Sequence, residues 1–325
     1  MRAKWTAAAL ALPVIAGLIA VVAWYIAERG IAPELAWAVL PAFLLEVILY
    51  GLSGTPAVRA RFASVSDIRL ALGLTLVAPA SYILLTAPLG NFHLWQFAGV
   101  TALAGMASFW YIALPRSLGA DLGYLALIAA PILFKTFNQL YPDPSPRLPG
   151  ETVGVLMWYR TMLVSVLCIR RMEGIGFGFL PARRDWVIGV RNFLWFLVPG
   201  FALALAIGFT QVKDVRFDGR LLLLSILTFA GVLWVLAVAE EFIFRGLLQQ
   251  HLARLFRSNT AGLVVASIIF GCGHLAYRQF PNWRFALLAT LAGIFYGRAF
   301  LQAGSIRAAM VTHALVVTTW KMFFS

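Results

Sequence analysis

Apolar residues run in long blocks along the chain, separated by short polar connections. The blocks fall at about 6–27, 33–52, 69–89, 94–114, 122–141, 153–169, 186–211, 221–248, 260–277, 285–302 and 307–324. Each approaches the roughly 20 residues that an α-helix needs to cross a hydrocarbon core. This pattern predicts an all-α polytopic transmembrane helical bundle of roughly 9–11 spans. The fifth block is interrupted by Pro131 and Lys135, and the sixth is short. The first follows Arg2 and Lys4, as a secretory leader would. No small-x-small cleavage site precedes the second block, so a retained helix is expected.

Composition strengthens this picture. Of 325 residues, 62% are hydrophobic and 12% charged, with a mean hydropathy of +0.86. Soluble domains are about half apolar and a quarter charged. The net charge of +13 belongs to arginines scattered between blocks, which argues against nucleic acid as a partner. Connections bearing Arg59 and Arg61, Arg116, Arg170 and Arg171, Arg183 and Arg184, and Arg254 and Arg257 alternate with neutral or mixed ones. Under the positive-inside rule this places the N-terminus in the cytoplasm. Heavy use of Ala, Leu, Arg and Gly resembles that of bacterial inner-membrane proteins. Cys168 and Cys272 form neither a disulfide framework nor a CxxC motif.

Two seams divide the chain. Tyr141–Glu151 holds four prolines, and Arg170–Trp186 is basic and glycine-rich. Upstream, the clearest intramembrane polar residues are Glu46, Lys135 and Asn138. Downstream they become frequent. Residues 1–150 therefore read as an N-terminal transmembrane bundle of unknown role, and 151–325 as the unit that carries chemistry.

The stretch VAEEFIFRGLL places Glu240, Glu241 and Arg245 inside an apolar block. An Asp, Lys or Arg at a helix centre costs about 2.5–3.5 kcal/mol, and intramembrane ionisable groups point to function. Glu241 and Arg245 stand at i and i+4, the spacing of a helical ion pair. Glu240 is turned about 100° from Glu241 and remains over. Its predicted partners are His274, which closes FGCGH one turn after Phe270, and His313 in the last block. His93 and His251 are assigned to an outer loop and to a solvated inner surface. Ala289, Gly293 and Gly297 make a small-xxx-small stripe that predicts close helix packing.

EEFIFR at 240–245, FGCGH at 270–274 and HALVV at 313–317 resemble, in that order, the motifs of the CPBP family. That family comprises type II CAAX prenyl endopeptidases and bacterial Abi proteins. The resemblance implies a CPBP-type catalytic helix core, with its motifs in 221–325, and an intramembrane endopeptidase. Glu240 would activate water, His274 would assist it, and His313 would face the oxyanion. Glu241, Arg245 and Phe270 would give structural support. The family often has Asn four residues after the last His, where this chain has Val317. Thr318 is the candidate replacement donor. The implied substrate is a membrane-embedded or lipid-anchored peptide, with the bilayer as the other partner and entry from the cytoplasmic side. No obligatory metal is expected; the alternative is zinc held by Glu240, His274 and His313, a His2Glu set.

Other chemistries fit less well. GLSG at Gly51–Gly54 matches a rhomboid-type Gly-x-Ser-Gly, but Ser53 ends a block beside basic residues. Asp67, Asp121, Asp143 and Asp185 fall outside the blocks, against a presenilin-type aspartate pair. No duplicated half supports a transporter. A non-catalytic scaffold or a bacteriocin-immunity protein with the same fold is the remaining alternative.

Overall fold

The computed structural model describes residues 20 and 22–325. Most of the first predicted block lies outside them. Residues 22–29 form α1. There follow α2 (Pro33–Ser53), α3 (Pro56–Ala63), α4 (Asp67–Leu89), α5 (Leu94–Ala113), α6 (Leu118–Leu133) and α7 (Thr136–Leu140). The C-terminal part contains α8 (Glu151–Ile169), α9 (Arg183–Ala206), α10 (Gly219–Leu255), α11 (Asn259–Cys272), α12 (Trp283–Ala303) and α13 (Ile306–Phe323). There is no strand among the described residues, so the molecule is an all-α bundle.

Helices α2, α4, α8, α9, α10 and α12 are long and apolar enough to cross a membrane. The chain is an integral membrane protein. Helices α5 and α13 occupy predicted blocks with 20 and 18 residues. Two blocks differ from expectation. The fifth breaks at Lys135, whose φ of 51° is left-handed, into α6 and the five-residue α7. The ninth yields only the 14 residues of α11, because the chain turns at Gly273.

Helix α10 has 37 residues. At 1.5 Å per residue it is about 55 Å long, nearly twice a hydrocarbon core. It is not regular. Its backbone widens into π-helical turns over Val232–Ala237 and Phe242–Gln249, and Val238–Glu241 between them stays α-helical.

One contiguous apolar core runs from Val39 to Val316 and so includes both sides of the two seams. Helix α8 lies deep in it, with Met157, Trp158, Met162 and Leu163 fully buried. From this helix Arg160 makes a two-point contact with Glu46 of α2, at 3.1 and 3.2 Å. The second seam is a wedge rather than a surface loop. Phe179 packs on Tyr50 and Phe177 on Phe242 of α10. Gly176, at φ 62°, lies so close to the α12–α13 turn that a Cβ would strike Ser305 and the Gly304 carbonyl. There the amide of Ile306 donates to the Ile175 carbonyl at 3.0 Å.

The basic end of the bundle has its own polar cluster. Arg170 makes two 2.9 Å bonds to Asp121, whose carboxylate is 3.5 Å from His251 Nε2. His251 is buried, contrary to the solvated position expected for it. Its helix packs against α6 there, so proximity to Arg254 in sequence did not mean exposure.

Candidate active site

Two consecutive glutamates of α10 meet a histidine of α13. Glu241 Oε2 is 3.1 Å from Arg245 Nε, the i, i+4 pair expected from spacing. Its other oxygen, Oε1, accepts from His313 Nδ1 at 2.7 Å. Across the same ring, His313 Nε2 stands 3.8 Å from Glu240 Oε2. The assignment of Glu241 to Arg245 alone was therefore incomplete. Adjacent helical side chains point about 100° apart, and a ring set across that angle touches both.

Arg245 is the structural hub. It is 1% exposed, and its Nη2 donates to the Gly293 carbonyl of α12 at 3.0 Å. The guanidinium also lies over the rings of Phe270 and Tyr296, at 4.6 and 5.2 Å. One turn on, Gln249 donates to the Gly297 carbonyl at 3.3 Å. The small-residue stripe thus does more than bring helices together. It leaves two carbonyls open to polar side chains of α10.

His313 is buried, and its ring stacks on Tyr296 with centroids 4.5 Å apart and planes within 12°. His274 follows the end of α11. Its Nδ1 is 2.8 Å from the Phe270 carbonyl, and its ring packs edge-on against Phe270 and Phe285. Among the described residues no carboxylate comes within 4.0 Å of His274. The histidine beside Glu240 is His313.

Both histidines line an open cavity among these helices. Its other walls are almost wholly apolar, among them Phe201, Phe285, Leu288, Val316, Val317 and Trp320. Glu240 is not on this wall; its side chain is 25% exposed and reaches the site through its approach to His313. Val317 faces the cavity one turn after His313. Thr318, the candidate donor, does not line it, and its buried Oγ1 has no hydrogen-bond partner among the described residues. At i+5 from His313 it is rotated off the face that Val317 occupies.

The cavity takes its walls from the second halves of α9 and α13, the first half of α12, and His274 beyond α11. Helix α13 starts at the basic loop, where Ile306 meets Ile175. The cavity therefore lies in the half of the bundle away from the basic connections.

No group of three His, Cys, Asp or Glu side chains among the described residues is arranged to hold a metal ion. The Nδ1 atoms of His313 and His274 are committed to Glu241 and the Phe270 carbonyl. Glu240 and His274 do not converge on a common point, so the residues as placed do not form the His2Glu set. Ser53 is buried and bonds the Tyr50 carbonyl at 2.6 Å, as a helix-ending serine does.

Residues 222–319 match the family model of type II CAAX prenyl endopeptidase Rce1-like proteins. This part of the chain is similar to the CAAX endopeptidase (CPBP) family. The matched segment begins within α10 and ends near the close of α13, so it encloses Glu240, Glu241, His274 and His313. No curated protein and no solved structure matches the chain. The π-helical turns on either side of the CPBP glutamates were not legible in the motif. Such turns recur at functional sites.

Proposed function

We propose that the protein is an intramembrane endopeptidase that hydrolyses a peptide bond of a membrane-associated protein or peptide. The observation that carries this reading is the approach of His313 Nε2 to Glu240 Oε2, 3.8 Å, with His313 on the wall of the cavity. Two groups that far apart reach one water molecule at hydrogen-bond distance. Glu240 serves as general base. It takes a proton from water as the water oxygen bonds to the scissile carbonyl carbon, and the carbonyl π pair moves onto oxygen. Collapse of this adduct breaks the C–N bond, and the departing amine receives the proton from Glu240. His313 faces the water. His274 lies on the same wall without a carboxylate beside it, and its Nδ1 is engaged by the Phe270 carbonyl. This reading puts His313 at the water, where the motif resemblance implied the oxyanion.

The reaction is assigned to Glu240 without a metal, in keeping with the dispersal of the zinc donors. Residues 151–325 carry the chemistry, and the described residues before 151 form a bundle joined to it through one core. A bacterial inner membrane and a cytoplasmic N-terminus complete the reading, supported by composition and by the arginine-bearing connections.

One observation favours the scaffold alternative: Val317 offers only methyl groups where an oxyanion donor would help. Glu240→Gln separates the readings. Membrane proteomes of cells with the wild-type protein and with this variant are compared for accumulated full-length substrates. Loss of cleavage in a variant with unchanged thermal stability supports the endopeptidase. Identical proteomes sink it.

A further inference from the structure

We infer that Glu241 is a positioning residue for His313: it holds the ring proton on Nδ1 and turns the bare Nε2 toward Glu240. The inference rests on the endopeptidase reading for its purpose, but not for its geometry.

Glu241 uses both carboxylate oxygens. One faces Arg245 Nε at 3.1 Å and the other faces His313 Nδ1 at 2.7 Å. An ionised carboxylate only accepts hydrogen bonds, so at that contact the histidine donates. Stacking on Tyr296 fixes the plane of the ring. Turning the ring over within that plane would replace Nδ1 by a carbon and leave Glu241 Oε1 without its donor in the interior. Neutral imidazole has one N–H. With that hydrogen at Nδ1, the other nitrogen is a pure acceptor.

A second observation points the same way. Glu240 Oε2 is buried and has no hydrogen-bond partner among the described residues. Buried acceptors are nearly always satisfied, by protein or by water. The atom 3.8 Å away, His313 Nε2, is another acceptor in this tautomer and cannot fill the need. What fits between them is a molecule with two donors: water. Such a water gives one hydrogen to Glu240 and the other to His313. Its lone pairs are then free for the carbonyl carbon. The opposite tautomer would donate into a lone pair and blunt the nucleophile. Glu241 thus decides which way the water points.

The experiment reads the tautomer directly. Full-length protein with ¹⁵N-labelled histidine is studied by solid-state NMR in lipid vesicles at pH 9, where an ordinary imidazole is neutral. The four histidines are few enough for His313 to be identified by its loss in His313→Gln. The expected wild-type spectrum has Nδ1 protonated and Nε2 bare at His313. A protonated Nε2, or an equal mixture, overturns the inference. In Glu241→Gln an amide replaces the carboxylate, and a mixture of tautomers is expected. A ring that keeps the wild-type pattern in that variant overturns it as well. In the cleavage assay, Glu241→Gln should lower kcat far more than it raises KM, by up to about 10⁴-fold, the loss when a catalytic histidine is left in the wrong tautomer. The loss should change with pH, whereas a purely structural defect lowers activity equally at every pH. If Glu241→Gln does not fold, the wild-type spectrum still decides. If no cleavage dependent on Glu240 is found, the endopeptidase reading fails and the tautomer result stands by itself.

Discussion

Arg245 donates to the carbonyl of Gly293 at 3.0 Å, and a Cβ placed on Gly293 would come within 3.1 Å of the same guanidinium nitrogen. Because Arg245 is also held by Glu241, it has little freedom to retreat. Gly293→Ala should destabilise the protein by about 1–3 kcal/mol, the scale of overpacking in a close-packed interior. Gly297→Ala meets the end of the Gln249 side chain, which is free to rotate aside, and should cost less. Thermal unfolding of the two variants in one detergent checks the order; equal shifts, or a larger one for Gly297, would show that Arg245 yields easily.

Val317 stands on the cavity wall one turn beyond His313. Val317→Asn puts an amide donor there. A preorganised oxyanion donor is worth 10²–10³ in kcat, and one added without further adjustment should recover about tenfold. The expected result is a raised kcat with KM little changed. No change or a loss would mean that the carbonyl oxygen sits out of reach of position 317.

Cleavage should survive dialysis against a chelator, and elemental analysis of the active protein should find far less than one zinc per chain. Loss of activity on chelation, restored by zinc, would require Glu240, His274 and His313 to come together in a way they do not here.

The pair Arg160–Glu46 joins α2 to α8 with both side chains buried. Arg160→Met leaves a buried carboxylate without a partner and should lower stability by about 3–5 kcal/mol. Adding Glu46→Leu should recover most of the loss, since apolar replacement of a whole buried pair is often neutral or stabilising. A double variant as unstable as the single one would give the pair a role beyond charge balance.

The position of the cavity is testable without a substrate. In a cysteine-free background, Gln279→Cys marks the exposed turn beside Tyr277 and Phe285 at the cavity end, and Ser64→Cys marks the basic end. With a cytoplasmic N-terminus, a membrane-impermeant maleimide applied to intact cells should label position 279 and spare 64. The reverse pattern would turn the molecule over and open the site to the cytoplasm.

Much of this architecture is written in simple periodicities. Blocks of apolar residues found the helices, and i, i+4 spacing found Glu241–Arg245, because both are local consequences of helix geometry. The approach of His313 to both glutamates was not readable, since it depends on how α13 crosses α10, 72 residues away in the chain. The same limit hid Arg160, whose carboxylate partner is 114 residues distant, and the burial of His251 against Asp121. His274 was drawn toward Glu240 by motif order, whereas the early end of α11 leaves it against Phe270 and Phe285.

The two π-helical stretches of α10 carry a mechanical consequence. A π turn holds roughly one residue more than an α turn, so the glutamates ride on a segment with slack wound in above and below. Deleting a single residue from Val232–Ala237 would let that stretch relax to the ordinary pitch. A regular α stretch that lost one residue would instead rotate the helix beyond it by about 100°. The slack in Val232–Ala237 is what would keep Glu240 and Glu241 facing His313 through such a loss. In this protein the angular setting of the acid pair belongs to the backbone's winding as much as to the residues themselves.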